Sequence, residues 1–215
     1  MTTSKKRHGK SEKQTVDPKV RKRDPILTQT RILKAAHKEF TEVGLAGARV
    51  DRIAAAAGVN KRMLYHYFQN KDGLFRAMMK RSLAELSQAD AGAPPNIGDE
   101  LIYWRELLRT NHDWIRLLLW EALDYKPGRV VGAKERGEFW RNGVEQIKRD
   151  QKTGRFASNI DPDFIQLYLF ALAAIPFLVP QMTKLITGQR PTTPDFLSRH
   201  DRFLRQIGVL LSQSE

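Results

Sequence analysis

Apolar residues recur at helical spacing through most of this chain, and residues 49–71, R-V-D-R-I-A-A-A-A-G-V-N-K-R-M-L-Y-H-Y-F-Q-N-K, set the pattern for the rest. Val50, Ile53, Ala54 and Ala57 fall at i, i+3, i+4 and i+7, one stripe on a short helix. Gly58 follows at once and can take the left-handed conformation that ends a helix. Asn60 stands at an N-cap position, where its side-chain oxygen can accept from an amide one turn on. A second short helix begins with Lys61 and Arg62, and Asn70 caps a third with Asp72 in its first turn.

Helix, glycine-containing turn, helix is the organisation of a helix-turn-helix DNA reader. In the second helix Leu64 and Phe68 lie together and should pack inward. Arg62 and His66 then lie opposite, with Tyr65 and Met63 on the flanks. Arginine can bond guanine bidentately, and histidine can meet base edges or phosphate. Lys61 sits in the first turn, where free amides and the helix dipole already favour phosphate. Taken alone, the same residues also suit an ordinary hydrated surface helix.

The pattern on either side predicts helices throughout. A helix from 27 or 28 to 43 turns Ile32, Leu33, Ala36, Phe40 and Val43 inward and stops at Gly44. The helix from Lys71 continues through Leu74, Phe75, Met78, Met79, Leu83 and Leu86 to about 89, and A-G-A-P-P-N-I-G at 91–98 is a break. Further helices are expected over 99–110, 112–125, 133–152 and 194–212, with a loop over 126–132. Asp161 followed by Pro162 is a start signal. From 164 to 179 the chain is almost wholly apolar, shorter than the roughly 20 residues a membrane span needs. Pro176 interrupts it, so the expectation is a kinked helix buried on several sides and closed by Gly188. The fold class is therefore all-α: an N-terminal three-helix helix-turn-helix domain followed by a helical bundle.

Charge sharpens the reading. Lys and Arg number 37 against 24 Asp and Glu, and 17 of the former but only 7 of the latter lie in the first 72 residues. A third of the chain this basic is built to meet a polyanion, nucleic acid first and an anionic membrane surface second. Residues 1–26 are polar, basic and aperiodic, and read as a disordered arm that either tracks phosphates and the minor groove or serves as a solubilising tail. The division expected is an arm over 1–26, a DNA-binding domain over 27–72, and an effector-binding and dimerisation domain over 73–215. The chain has no cysteine, which removes disulfides and thiolate chemistry and fits a reducing cytosol. The N-terminal basic cluster is not followed by an apolar stretch and is not a secretory signal. The expected location is cytoplasmic, on the nucleoid.

Residues 30–75, T-R-I-L-K-A-A-H-K-E-F-T-E-V-G-L-A-G-A-R-V-D-R-I-A-A-A-A-G-V-N-K-R-M-L-Y-H-Y-F-Q-N-K-D-G-L-F, strongly resemble the N-terminal domain of TetR-family transcriptional regulators. The resemblance rests on Ala35-Ala36, Phe40, Gly44, Ile53-Ala54, Ala57-Gly58-Val59, Leu64-Tyr65, Tyr67-Phe68, Lys71 and Leu74. It implies a dimeric DNA-binding regulator, usually a repressor, released when a small molecule enters the body. It places the recognition helix at 60–67 and expects Tyr67 and Lys71 at phosphates. The sequence departs from the pattern at Ala48 and Arg49, where a hydroxyl residue often caps the second helix, and at Arg62 and Met63 on the reading surface. The operator is not carried over. The DNA-contacting set is thus Arg49, Asn60, Lys61, Arg62, Met63, Tyr65, His66, Tyr67 and Lys71.

The two apolar terminal helices, spanning 161–212, are covered either by an intrachain core or by the same helices of a second copy, and the second is preferred, since a helix-turn-helix needs two heads to read enough base pairs. The partners expected are a double-stranded DNA operator, a homodimer partner and a small organic effector, with no membrane. Trp104, Trp114, Trp120, Phe139, Trp140 and Tyr168 are candidates to line the effector pocket, beside polar Arg105, Asn111, His112 and Arg116. No cofactor, metal or catalytic residue is assigned: G-x-S-x-G, H-E-x-x-H, the P-loop and the dinucleotide fingerprint are all lacking, and the five histidines show no ligand spacing. The rival readings are an architectural DNA-binding protein without effector and, further off, an enzyme.

Overall fold

A computed structural model describes residues 24–90, 92–124, 128 and 130–212. Among these it has ten helices: α1 (Pro25–Gly47), α2 (Val50–Ala57), α3 (Lys61–Phe68), α4 (Lys71–Asp90), α5 (Ile97–Thr110), α6 (His112–Leu123), α7 (Ala133–Lys152), α8 (Pro162–Leu178), α9 (Pro180–Thr187) and α10 (Pro194–Ser212). All but the last three residues of the basic arm fall outside the described residues.

Most helices start and stop where local chemistry says they should. Asn96 caps α5 by accepting from the amides of Gly98 and Asp99, and Asp161 caps α8 by accepting from Asp163. Three boundaries differ from expectation. The first helix starts at Pro25, inside the expected arm, because Asp24 accepts from the amides of Ile26 and Leu27 and Pro25 occupies the first turn. This is the Asp-Pro signal also found at Asp161 and Pro162. The fifth helix begins two residues inside the expected break, and the sixth ends at Leu123. A further difference concerns the apolar run. Pro176 lies buried within α8 and does not divide it. The break comes at Val179, which precedes Pro180, and a residue before proline is pushed out of the helical region. Helices α8 and α9 meet there at 87°.

The main core runs without interruption from the first three helices into the body. It joins Ile32, Phe40, Ile53, Leu64, Leu74, Met78, Leu108, Trp114, Ala173 and Phe177. Helix α4 is one link, since it packs against α1 and α3 and also meets α7. A second, smaller cluster of Ile97, Leu101, Ile147, Phe156, Ile165 and Leu204 holds the far end. There α10 lies along α5 at backbone contact: a Cβ on Gly208 would stand 2.5 Å from the Gly98 amide nitrogen. Arg155 ties the same end together, pairing with Glu100 and Asp150 at 2.5 Å each.

The expectation that the apolar run is buried on several sides is corrected. Ile165, Ala173, Ala174 and Phe177 are buried, but Phe164, Leu167, Tyr168 and Ile175 are exposed. Phe203, Val209 and Leu210 of α10 and Met182, Leu185 and Ile186 of α9 are exposed as well. Among the described residues no single helix is long and apolar enough to cross a membrane.

Candidate nucleic-acid interface

The turn between α2 and α3 is built as its residues require. Gly58 adopts φ 64° and ψ 39°, and the amides of Gly58 and Val59 return to Ala55 and Ala54 at 3.0 Å each. This closes the helix with a left-handed residue and satisfies its last carbonyls. The carbonyl of Ala57 accepts from Arg31 Nη2 at 2.5 Å, and a Cβ on residue 58 would collide with that guanidinium. Asn60 Oδ1 accepts from the Met63 amide at 2.8 Å and starts α3.

Helix α3 then divides its residues by environment. Leu64 is fully buried, Tyr67 and Phe68 are half-buried against the core, and Met63 is half-buried. Lys61, Arg62, Tyr65 and His66 stand exposed, with Asn60 at the helix start and Arg49 at the start of α2. Tyr67 meets His66 edge-on, with ring centroids 5.4 Å apart. The exit from α3 is strained. Gln69 has φ 63° and ψ −55°, a conformation L residues rarely adopt, and its flanking groups close a tight turn from the Asn70 amide to the Phe68 carbonyl at 2.7 Å.

Besides Asn60, which caps α3, several of the expected DNA-contacting residues have polar partners within the protein. Lys61 Nζ lies 3.1 Å from both carboxylate oxygens of Asp51 on α2, which raises the lysine above its ordinary range. Lys71 Nζ donates to the carbonyls of Ala46 at 3.1 Å and Ala48 at 3.3 Å, so it fastens the start of α4 to the turn between α1 and α2. Arg49 gives α2 no side-chain cap, and the missing hydroxyl is replaced from outside the helix. The Arg49 amide donates to Glu39 Oε1 at 3.1 Å, and Arg52 Nε lies 3.3 Å from Glu39 Oε2. A buried carboxylate at a helix N-terminus is favoured by the helix dipole. Sequence reasoning did not single out Glu39, although an acid beside Phe40, near the inner stripe of α1, was a signal that it had a partner inside.

Helix α6 holds the first three helices to the body. Arg116 Nε donates to the Thr41 carbonyl at 3.1 Å, and His37 Nδ1 lies 3.4 Å from Asp113 Oδ2. One turn on, Trp120 lies over Gly44, where a Cβ would come within 3.1 Å of the indole. Gly44 has φ 71° and breaks the helical path of α1 there.

The six aromatic residues expected to line an effector pocket differ in where they stand. Trp114 is buried in the core, 6% exposed. Trp104, Phe139 and Trp140 are half-buried against the core, with Phe139 edge-on to Trp140 at 5.0 Å and Trp140 to Phe170 at 5.5 Å. Trp120 lies at the junction with Gly44, and Tyr168, 62% exposed, faces out from α8. Aromatic spacing on helices reflects packing against several neighbours, and the sequence does not separate those neighbours. Among the polar candidates, Arg105 is buried and paired with Asp201 at 2.7 Å, and Asn111 donates to the Leu107 carbonyl at 2.7 Å.

Residues 32–78 match the family described as "Bacterial regulatory proteins, tetR family", and residues 103–201 match "Tetracyclin repressor-like, C-terminal domain". The chain is 34% identical over 170 residues to the HTH-type transcriptional repressor SCO4008 of Streptomyces coelicolor, covering 77% of this chain and 86% of that one. A solved structure of the putative transcriptional regulator SCO4942 from Streptomyces coelicolor superposes with a TM-score of 0.69 at 22% identity, covering 84% of this chain and 97% of that one. The transcriptional regulator FadR from Bacillus subtilis, in complex with stearoyl-CoA, superposes with a TM-score of 0.60 at 17% identity and coverages of 84% and 97%.

Proposed function

The chain belongs to the tetR family of bacterial regulatory proteins, and on that premise we propose that it is a transcriptional repressor that holds a DNA operator as a homodimer and releases it when a small organic effector binds. Residues 27–72 act as the reader, and residues 73–215 bind the effector and dimerise. The observation that carries this reading is the front of α3. Lys61, Arg62, Tyr65 and His66 stand exposed on a helix whose back, at Leu64, is fully buried. Arg62 and His66 read bases, while Arg49 and the basic residues ahead of Asp24 supply charge for phosphate. Binding of this kind weakens steeply as salt rises.

The exposed apolar face of α8 and α10 supports the dimer. Phe164, Tyr168 and Ile175 form a stripe at i, i+4 and i+11 that a second copy would cover in an isologous contact. The effector acts through a difference in affinity between two dimer geometries, only one of which sets the two α3 helices one DNA turn or a multiple apart. A related fold that carries stearoyl-CoA supports an organic effector bound in the body.

Selection of bound DNA from a random pool tests the reading and is expected to yield a twofold-symmetric site. On that site Arg62→Ala should relax the preference at one base of each half-site by about 1–3 kcal/mol. Arg49→Ala should weaken all sequences alike and lower the salt slope by about one. Equal, sequence-blind losses in both variants would remove Arg62 as a base reader.

A further inference from the structure

Helix α3 has eight residues, and Leu64 is its one buried side chain. A helix this short has little hold of its own, so the turns at its two ends set the direction of its front. The turn before it is of an ordinary kind, with a left-handed glycine at Gly58 and a cap at Asn60. The turn after it is not. Among the described residues Gln69 is the one non-glycine with a positive φ. At φ 63° and ψ −55° it is the centre of a γ-turn of the rare, strained hand, closed by the Asn70 amide donating to the Phe68 carbonyl at 2.7 Å. The Gln69 side chain is exposed, so its packing does not account for the strain.

Gly73 records the same crowding from the side of α4. A Cβ on residue 73 would overlap the Phe68 carbonyl oxygen, which is backbone and cannot swing aside. The dihedral at Gln69 and the close approach at Gly73 have one cause: the last carbonyl of α3 is pressed onto the first turn of α4. Strain of this kind persists where the surroundings over-determine it. Asn70 Oδ1 accepts from the Gly73 amide at 2.7 Å, and Lys71 is fastened to the carbonyls of Ala46 and Ala48. Leu64 and Leu74 are fully buried on either side of the turn. With α4 pinned in this way, an unstrained Gln69 would swing α3 about Leu64 and carry Arg62 and His66 with it.

We propose that Gln69 and Gly73 are positioning residues, and that the sharp turn they form fixes the direction of α3 and with it the base edges that Arg62 and His66 reach. The backbone of residue 69 does this, not its side chain. The consequence for bases rests on the repressor reading; the fixing of α3 does not.

A double-mutant cycle on the full chain without DNA, read by urea unfolding at one protein concentration, tests the turn. Gln69→Gly should raise the folding equilibrium constant roughly three- to tenfold, since glycine takes a positive φ at little steric cost. Gly73→Ala should lower it about tenfold, the size of an overpacking effect. In a chain carrying Gly73→Ala the turn has already opened, so adding Gln69→Gly should bring no gain. Equal gains in both backgrounds, or a Gly73→Ala variant that unfolds as the wild type does, overturn the shared turn. Gln69→Val keeps the test alive if Gly73→Ala does not fold, because valine resists a positive φ and the site is exposed. A second measurement compares affinity for the selected operator with affinity for an unrelated duplex. Gln69→Val, at wild-type helical content, should lose about tenfold on the operator, the worth of one base contact, and little on the unrelated duplex. Gln69→Gly should keep the wild-type preference. A Gln69→Gly variant that loses as much as Gln69→Val makes the side chain a DNA contact and overturns the backbone role. If the cycle couples as expected and no DNA site can be selected, the repressor reading fails and the turn stands. An operator bound equally by wild type, Gln69→Val and Gly73→Ala keeps the repressor reading and removes the turn as its positioning device.

Discussion

The front of α3 and the outer face of α8 and α10 are both open to solvent, but one is polar and the other apolar. Lys61, Arg62, Tyr65 and His66 lose little by being hydrated, so the isolated chain is at ease with that surface. Phe164, Leu167, Tyr168 and Ile175 on α8, beside Phe203 and Leu210 on α10, form a patch that water disfavours. The difference in kind implies a difference in binding. The apolar face calls for a permanent partner of matching shape, which in the proposed dimer is a second copy. The polar face suits a partner that comes and goes with salt and effector.

The strongest way to break this contrast is Tyr168→Arg. A charge in the middle of the apolar stripe should weaken the dimer by about 2–4 kcal/mol, the range of interface hot spots. The monomer should keep its fold, because the side chain is already 62% exposed. Sedimentation across a range of concentrations would show a monomer with unchanged helical content; an undisturbed dimer would exclude this face as the interface.

Gly208→Leu probes the opposite side of α10 and should be somewhat smaller in effect. The new Cβ would fall 2.5 Å from the Gly98 nitrogen, and that neighbour is backbone, which cannot swing aside. Overpacking of this kind costs about 1–3 kcal/mol. Urea unfolding should register the loss in the chain itself. A variant that unfolds like the wild type would mean that α5 and α10 do not cross this closely.

The most gradual effect expected is one of pH, spread over the whole window between two pKa values. Burial, with Arg105 nearby, lowers His200 from 6.5 to about 4, against a smaller raising influence of Asp201. Between those values the unfolded chain takes up a proton that the folded chain refuses. Stability is therefore full above pH 6.5 and falls as the pH drops from there towards 4. Thermal midpoints should decline over that window in the wild type and less steeply in His200→Phe. Equal slopes in both would place the sensitivity elsewhere.

Much of the first three helices was legible because their signals are local. The stripe of Val50, Ile53, Ala54 and Ala57, the left-handed Gly58 and the cap at Asn60 each depend on neighbours within about one turn. The body was legible in outline but not in its contacts. The surroundings of Trp114, Trp120 and Tyr168 were not legible because helical spacing gives a face and not a neighbour. The kink expected at Pro176 appeared at Val179 instead, since proline acts most strongly on the residue before it.

The sequence by itself determined the all-helical class, the short helix that follows Gly58 and the concentration of charge in the first third, because all three follow from spacing and composition. Only the tertiary structure decided what faces what. It showed that Glu39 replaces a missing cap on α2, that Lys71 fastens a turn, and that Trp120 rests on Gly44. Those relations join residues far apart in the chain, and their geometry is set by how whole helices pack, which no local pattern encodes.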